Sequence, residues 1–275
     1  MQKFGIKNYR AEIITFYSLA ACALIVAAFF DLKIDISLNN TSSFVANWFA
    51  QTGEIPSSLL LVTATAVLAK CSEAKWLKCV GAVGCLVSGG YLGDYVQRRL
   101  FADTEFSFGF GIIYGIGVAL LFMLAFHFIP IPENIHRPLV IISLIALAGT
   151  GVAAAMVSGM KALWGRVRFR DLDSSYSQFT AWYVINGNNG SHSFPSGHTN
   201  SAGAAYFAMF LPFVSENARR HYRLCFWSAF AFASTVAATR LVMGAHYLSD
   251  VTVGGTIAFS CMLIGMAVFE KISSR

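Results

Sequence analysis

The sequence predicts an all-α, polytopic transmembrane helix bundle of six to eight spans, and three observations predict it. Of 275 residues, 56% are hydrophobic and only 12% are charged, about half the charged share of a soluble domain. Mean hydropathy is +0.59. The chain carries 24 Phe and 5 Trp, which suits a lipid-facing surface. A water-soluble enzyme of this size needs more charge to coat itself, and a disordered chain needs low hydrophobicity with high charge. Both classes are excluded. The length accommodates roughly eight helices of about 20 residues with their connections.

The gaps between charges outline each element in turn. Residues 13–30 carry no charge and form the first span. The stretch ahead of it, MQKFGIKNYRAE, is basic and lacks a small-residue cleavage site, so it reads as part of a retained first helix. Residues 55–69 begin with Pro56, which suits a first helical turn. Residues 79–93 are uncharged but hold Gly81, Gly84, Gly89 and Gly90. These two windows reach about 23 Å against a hydrocarbon core of about 30 Å, so they borrow flanking residues. Residues 106–132 and 138–160 are long and clear, 195–214 follow a polar loop, and 224–239 and 251–269 complete the eight windows. The whole chain, 1–275, reads as one integral membrane domain. Its amino-terminal helices occupy 1–138, and a core over 139–271 carries the motifs described below.

The 20 Lys and Arg against 14 Asp and Glu leave a net charge of +6. In a soluble protein this balance raises nucleic acid as a partner. In a membrane protein it is topological, and no nucleic-acid partner is expected. With the amino terminus inside and eight spans, 12 basic residues fall inside and 8 outside. Five of those eight, Lys161, Arg166, Arg168, Arg170 and Arg240, sit in two short stretches and call for a chemical explanation. The six cysteines form no CxxC or Cys/His cluster, so neither a disulfide framework nor a zinc site is expected.

Three stretches carry chemistry: Lys161 to Arg168, Ser193-Phe-Pro-Ser-Gly-His198, and Arg240 to Asp250. In this topology all three lie at the outer face. The basic cluster next to hydrocarbon is expensive without an anion. Asp171, Asp173 and Asp250 are too few to neutralise it, so a bound anion completes it. Arginine forks match phosphate oxygens. Pro195-Ser196-Gly197-His198 reads as a helix start with Pro in the first turn, and free N–H groups there bind anions. His246 and Asp250 are four apart. On a helix they share a face, and the carboxylate then holds the imidazole tautomer and stabilises its positive charge. His198 is a second titrating group, suited to protonating a leaving oxygen. The inventory describes phosphoryl transfer without an obligatory metal or cofactor.

Other residues have plainer readings. For Arg166 and Arg170, solvated loop charges or headgroup anchors are as good a reading as membership of the cationic cluster. His192 is a loop histidine, and His127 and His136 are interfacial. Most of Trp48, Trp76, Trp164, Trp182 and Trp227 fit an interfacial belt. Asn39, Asn40 and Asn189 begin N-x-S/T triplets of the kind that arise by chance.

Taken together, the motifs resemble the type 2 phosphatidic acid phosphatases (PAP2), membrane relatives of vanadium haloperoxidases and glucose-6-phosphatase. The pattern Lys-x6-Arg-Pro reads here Lys161-x6-Arg168-Phe169. Pro-Ser-Gly-His is Pro195 to His198, and Ser-Arg-x5-His-x3-Asp is Thr239-Arg240-x5-His246-x3-Asp250. The match covers roughly residues 159–255. The resemblance implies that His246 attacks phosphorus and carries a phosphohistidine, that Asp250 orients it, and that His198 protonates the leaving group. It implies that Lys161, Arg168, Ser196, Gly197 and Arg240 bind the phosphate oxygens. Phe169 in place of proline is expected to loosen or re-aim the Arg168 turn, and Thr239 for serine is mild. Members commonly have six helices, and any surplus here lies before Lys161.

The reading is therefore a lipid phosphatase for a monoester or diphosphate. Undecaprenyl diphosphate, phosphatidylglycerophosphate, phosphatidic acid and lipid A phosphates all satisfy the site. Its partners are the lipid phosphate and the surrounding membrane lipids. The expected location is a bacterial inner membrane, with the site facing the periplasm or exterior. Two rivals are a lipid phosphotransferase with the same intermediate and an anion or lipid transporter. The uncharged windows argue against the transporter.

Overall fold

The computed structural model describes residues 4–101 and 109–274. Lys3 and Arg275 of the basic count, and residues 106–108 of the fourth window, lie outside them. Among the described residues there is no strand. The helices are α1 (Arg10–Leu38), α2 (Phe44–Thr52), α3 (Ile55–Cys71), α4 (Lys75–Leu100), α5 (Phe110–Phe128) and α6 (His136–Trp164). They continue with α7 (Gly197–Ala202), α8 (Leu211–Val214), α9 (Glu216–Arg220), α10 (Tyr222–Val242) and α11 (Leu248–Ser273). Seven helical stretches among the described residues are long and apolar enough to cross a membrane. The protein is an integral, multi-pass membrane protein.

The window at 195–214 is not one α-helix. A turn and a half of α7 passes into a 3-10 stretch, Gly203–Phe210, and then into α8. The segment nevertheless crosses the bundle beside α11. At one end Ser196 N–H donates to Asp250 O (2.9 Å). At the other the Phe213 and Phe269 rings meet at 4.8 Å. The tighter winding explains how 18 residues manage the distance. Eight residues at about 2.0 Å and ten at about 1.5 Å reach about 31 Å, against about 27 Å for a pure α-helix.

Away from the site the core is aromatic. Phe16, Tyr206, Phe226 and Phe259 are buried together on α1, the 3-10 stretch, α10 and α11. Tyr206 and Phe259 meet edge-on at 4.9 Å. Lipid tails are as apolar as these rings, so packing rather than hydrophobic transfer holds them. Each such ring pair contributes about 0.5–1.5 kcal/mol.

A further pair of helices is α4 and α5. They pack on each other and on α3, around a small separate cluster of Val62, Ala66, Cys85 and Ala119. The glycines noted in the sequence, with Gly93 at the end of the same window, make this contact possible. A Cβ on Gly93 would run into the backbone of Gly111 and Gly115. One on Gly117 would meet nothing within 4 Å. Gly93→Leu is therefore expected to destabilise the protein by about 1–3 kcal/mol, whereas Gly117→Leu leaves it near wild type. Thermal unfolding in detergent checks the pair; equal midpoints would rule this packing out.

Candidate active site

The three motifs are on different elements, and local backbone chemistry brings each into place. The first ends α6. Gly165 adopts φ +52 as the helix stops, a conformation that favours glycine. Lys161 stays on the last helical turn, and Arg166 and Arg168 leave on the loop. Arg168 has φ −74 and ψ 153, the extended backbone usual before a proline. Phe169 thus keeps the turn that proline commonly makes. It does so by packing, since its ring stacks on Tyr176 (5.8 Å).

The second motif differs from its sequence reading. Ser196 is the N-cap of α7, and its Oγ accepts from Thr199 N–H (3.3 Å). Pro195 therefore precedes the helix instead of occupying its first turn. Ser196 is fully buried, and its own N–H is committed to Asp250 O. Gly197 has no side chain, and a Cβ there would lie 3.4 Å from Lys161 Nζ. That contact places Lys161 beside the start of α7.

The third motif is a helix-ending turn. Gly244, at φ +58, donates to Leu241 O (2.8 Å), and Ala245 N–H donates to Arg240 O (3.0 Å). This paired closure terminates α10. It also links the motif internally, because His246 N–H reaches the same Arg240 carbonyl (3.3 Å).

His246 and Asp250 do not share a helix face, contrary to the spacing argument. His246 precedes α11, whereas Asp250 lies in its first turn and accepts Tyr247 N–H (3.1 Å) as a cap. The pair still meets, with Nδ1 3.5 Å from Asp250 Oδ2. The tautomer is held mainly by a different group. Nδ1–H donates to Ser193 O at 2.7 Å. This leaves Nε2 with its lone pair and without a hydrogen-bond partner among the described residues. The carboxylate supplies charge, and the carbonyl supplies orientation. Burial pushes the His246 pKa below its ordinary value; Asp250 opposes that, while Lys161 and Arg240 reinforce it. The imidazole is accordingly neutral at pH 7.

Among the described residues, four buried nitrogens in these motifs have no hydrogen-bond partner: Arg168 Nε, Arg240 Nε and Nη1, and His198 Nε2. Unpaired buried donors are costly, and these are of the type that binds phosphate oxygens. Lys161 Nζ also makes no hydrogen bond among the described residues.

Three residues come to the site that sequence reasoning missed or set aside. Arg166, weighed as a solvated loop charge, is only 1% exposed. Its Nη1 bonds Asp250 Oδ1 (2.7 Å) and Ser249 Oγ (2.8 Å), and its Nη2 bonds Asp31 Oδ2 (2.9 Å). Asp31 comes from α1, which buries Asp31 and Asp35 while exposing 74% of Phe29. Glu54, the N-cap of α3, places Oε1 3.3 Å from His198 Nδ1. Asp171 and Asp173 are not the local counter-charges. Asp171 stands 3.8 Å from the exposed Arg170. Asp173 is tied to Ser175 and Ser177, whose donors lower its pKa to about 2. His192 is exposed, as expected of a loop histidine. Trp164 and Trp182 also have partners within the protein: Trp164 Nε1–H donates to Trp182 O (2.6 Å), and both rings stack on Phe194.

All three motifs lie within residues 139–274, which match the family model described as the PAP2 superfamily. The carboxy-terminal half belongs to that superfamily. That match supports a membrane phosphatase of the PAP2 type. A crystal structure titled as the first transmembrane PAP2 type phosphatidylglycerolphosphate phosphatase from Bacillus subtilis is similar at 19% identity, with a TM-score of 0.39 over 90% of this chain and 96% of that one. A search of curated proteins finds no match. The matched region begins in the first turn of α6 and runs through α11, whereas Asp31 on α1 and Glu54 at the start of α3 lie outside it.

Because the His246 pKa is depressed, its neutral form persists below the usual histidine range. Activity is expected to hold as pH falls to about 6.5 and to decline only below it. A kcat/KM profile checks this; an acid limb centred above the ordinary histidine value would contradict it.

Proposed function

We propose that the chain hydrolyses a lipid phosphate monoester or diphosphate through a phosphohistidine at His246. The observation that carries the reading is the set of buried donors on Arg168 and Arg240 that have no partner among the described residues, beside a histidine whose Nε2 likewise has none there. A phosphate dianion supplies acceptors for those donors and an electrophile for that nitrogen. Lys161, Arg168 and Arg240 bind its oxygens, joined by the N–H of Gly197 and the Ser196 hydroxyl.

In the first step His246 Nε2 forms a bond to phosphorus, and the bond from phosphorus to the leaving oxygen breaks. His198 delivers a proton to that oxygen. In the second step water attacks phosphorus, His198 takes back a proton, and the P–N bond breaks to free phosphate. The cationic side chains offset charge on the equatorial oxygens in both steps, the role that positioned cations have in phosphoryl transfer. Asp250 stabilises the positive imidazole of the intermediate. The substrate's apolar tail stays between helices while its headgroup enters the cluster.

The basic-residue bias supports an outer-face site. With the five site cations set aside, 12 basic residues fall on the opposite face and 3 on this one. This fits a bacterial inner membrane with the site facing the periplasm.

His246→Ala is expected to lower phosphate release from lipid phosphates by about 10³-fold or more with normal insertion, and His198→Ala to slow leaving-group departure. Purified variants assayed on a panel of lipid mono- and diphosphates test this. Near-wild-type turnover by His246→Ala would end the mechanism. Vanadate is expected to inhibit and EDTA to leave the rate unchanged; EDTA-sensitive turnover would contradict direct stabilisation by the cationic side chains.

A further inference from the structure

Behind His246 lies more charge than a histidine–aspartate pair needs. Arg166 is bound on two sides by carboxylates, Asp250 on α11 and Asp31 on α1, and all three side chains are at most 1% exposed. Ser249 bridges them, donating its N–H to Asp31 Oδ1 (3.1 Å) and its hydroxyl to Asp31 Oδ2. The guanidinium also lies 4.0 Å from the centre of the Tyr247 ring, and Nε donates to Thr180 O (2.9 Å).

The sum of charges matters more than any one contact. Asp250 with Arg166 alone is a neutral pair, and a neutral pair does little for a neighbour that becomes positive. Asp35, one turn further along α1, is buried beside this group with neither oxygen hydrogen-bonded among the described residues, and it counts as an uncharged acid. With Asp31 included, the group then carries one net negative charge while His246 is neutral. It becomes neutral overall when His246 gains positive charge. The other charged and titratable groups facing His246 are Lys161 on α6, Arg240 on α10 and His198 on α7. None of them supplies negative charge. Asp250 is the carboxylate in contact, and Arg166 would cancel it if Asp31 did not share Arg166.

We propose that Asp31 is a positioning residue of the reaction: by taking one side of the Arg166 guanidinium, it leaves Asp250 with the negative charge that stabilises His246 in its charged state. The inference rests on His246 as nucleophile. It also makes α1, which lies outside the family-matched region, part of the catalytic apparatus.

The test compares full-length wild type, Asp31→Asn, Arg166→Gln and the double variant on a short-chain phosphatidic acid in detergent. Asp31→Asn keeps the shape but removes the charge. It is expected to reduce kcat about tenfold or more with KM little changed, and to move the acid limb of kcat/KM down by about one pH unit. Arg166→Gln together with Asp31→Asn restores a net negative charge on Asp250. Its acid limb is expected to return toward wild type. A merely structural Asp31 predicts an unmoved limb in Asp31→Asn and a double variant worse than either single; either result overturns the proposal.

A readout without turnover covers the case in which Arg166→Gln does not fold. The pH dependence of His246 modification by diethyl pyrocarbonate, in a His198→Gln background, should shift down with Asp31→Asn, and no shift refutes the idea. Full activity in His246→Gln would instead remove the reading of the nucleophile, so the two failures are distinguishable.

Discussion

A guanidinium buried beside hydrocarbon is the constraint around which the site is arranged. Arg166 cannot lose its proton, and an unpaired charge at that depth costs several kcal/mol. Its planar fork therefore fixes the places where acceptors must be. Thr180 O, Ser249 Oγ, Asp250 and Asp31 occupy them. Through these bonds one side chain ties the 165–196 loop to the first turn of α11 and the carboxy-terminal part of α1. Removing a single partner from a buried pair costs about 3–5 kcal/mol, so the first and last long helices and the loop over the site are held as one unit. The Ser193 bonds extend this unit: its N–H meets Arg166 O, its hydroxyl meets Asp250, and its carbonyl holds His246.

The second requirement is a short helix start at the site on a segment that still crosses the bundle. The 3-10 stretch meets it. By stretching eight residues, Gly203–Phe210 lets α7 begin where Ser196 docks on α11 and lets α8 end among the opposite aromatic cluster. Gly254 permits the docking, since a Cβ there would run into the Ser196 backbone. The α4–α5 pair rests on α3 through small residues.

Much of this was legible in the sequence. Uncharged windows marked the helices because a charge in hydrocarbon is expensive, and that rule acts residue by residue. Motif spacing brought Lys161, Ser196, His198, Arg240 and Asp250 to one end of the bundle. What the sequence concealed has a common cause. Asp31 and Glu54 border the first and second windows, and charges at window edges were used to mark helix ends. A carboxylate at that depth is itself a sign of function when a buried cation stands opposite, but the partner of Asp31 is 135 residues away. The four-residue spacing of His246 and Asp250 predicted the right contact through the wrong geometry. A helix cap brings the two together as effectively as a helix face, and spacing alone does not distinguish them. The 3-10 stretch packs against both α10 and α11, a setting that no local pattern encodes.

The turn that ends α10 has a consequence in entropy. Arg240 and His246 hang from one carbonyl and one left-handed glycine, six residues apart in sequence but on a single hydrogen-bonded loop. The relative placement of a cation and an imidazole is settled when the chain folds, long before any substrate arrives. Ordering that a flexible site would have to accomplish in each catalytic cycle is completed once here, and the arriving phosphate loses only its own freedom.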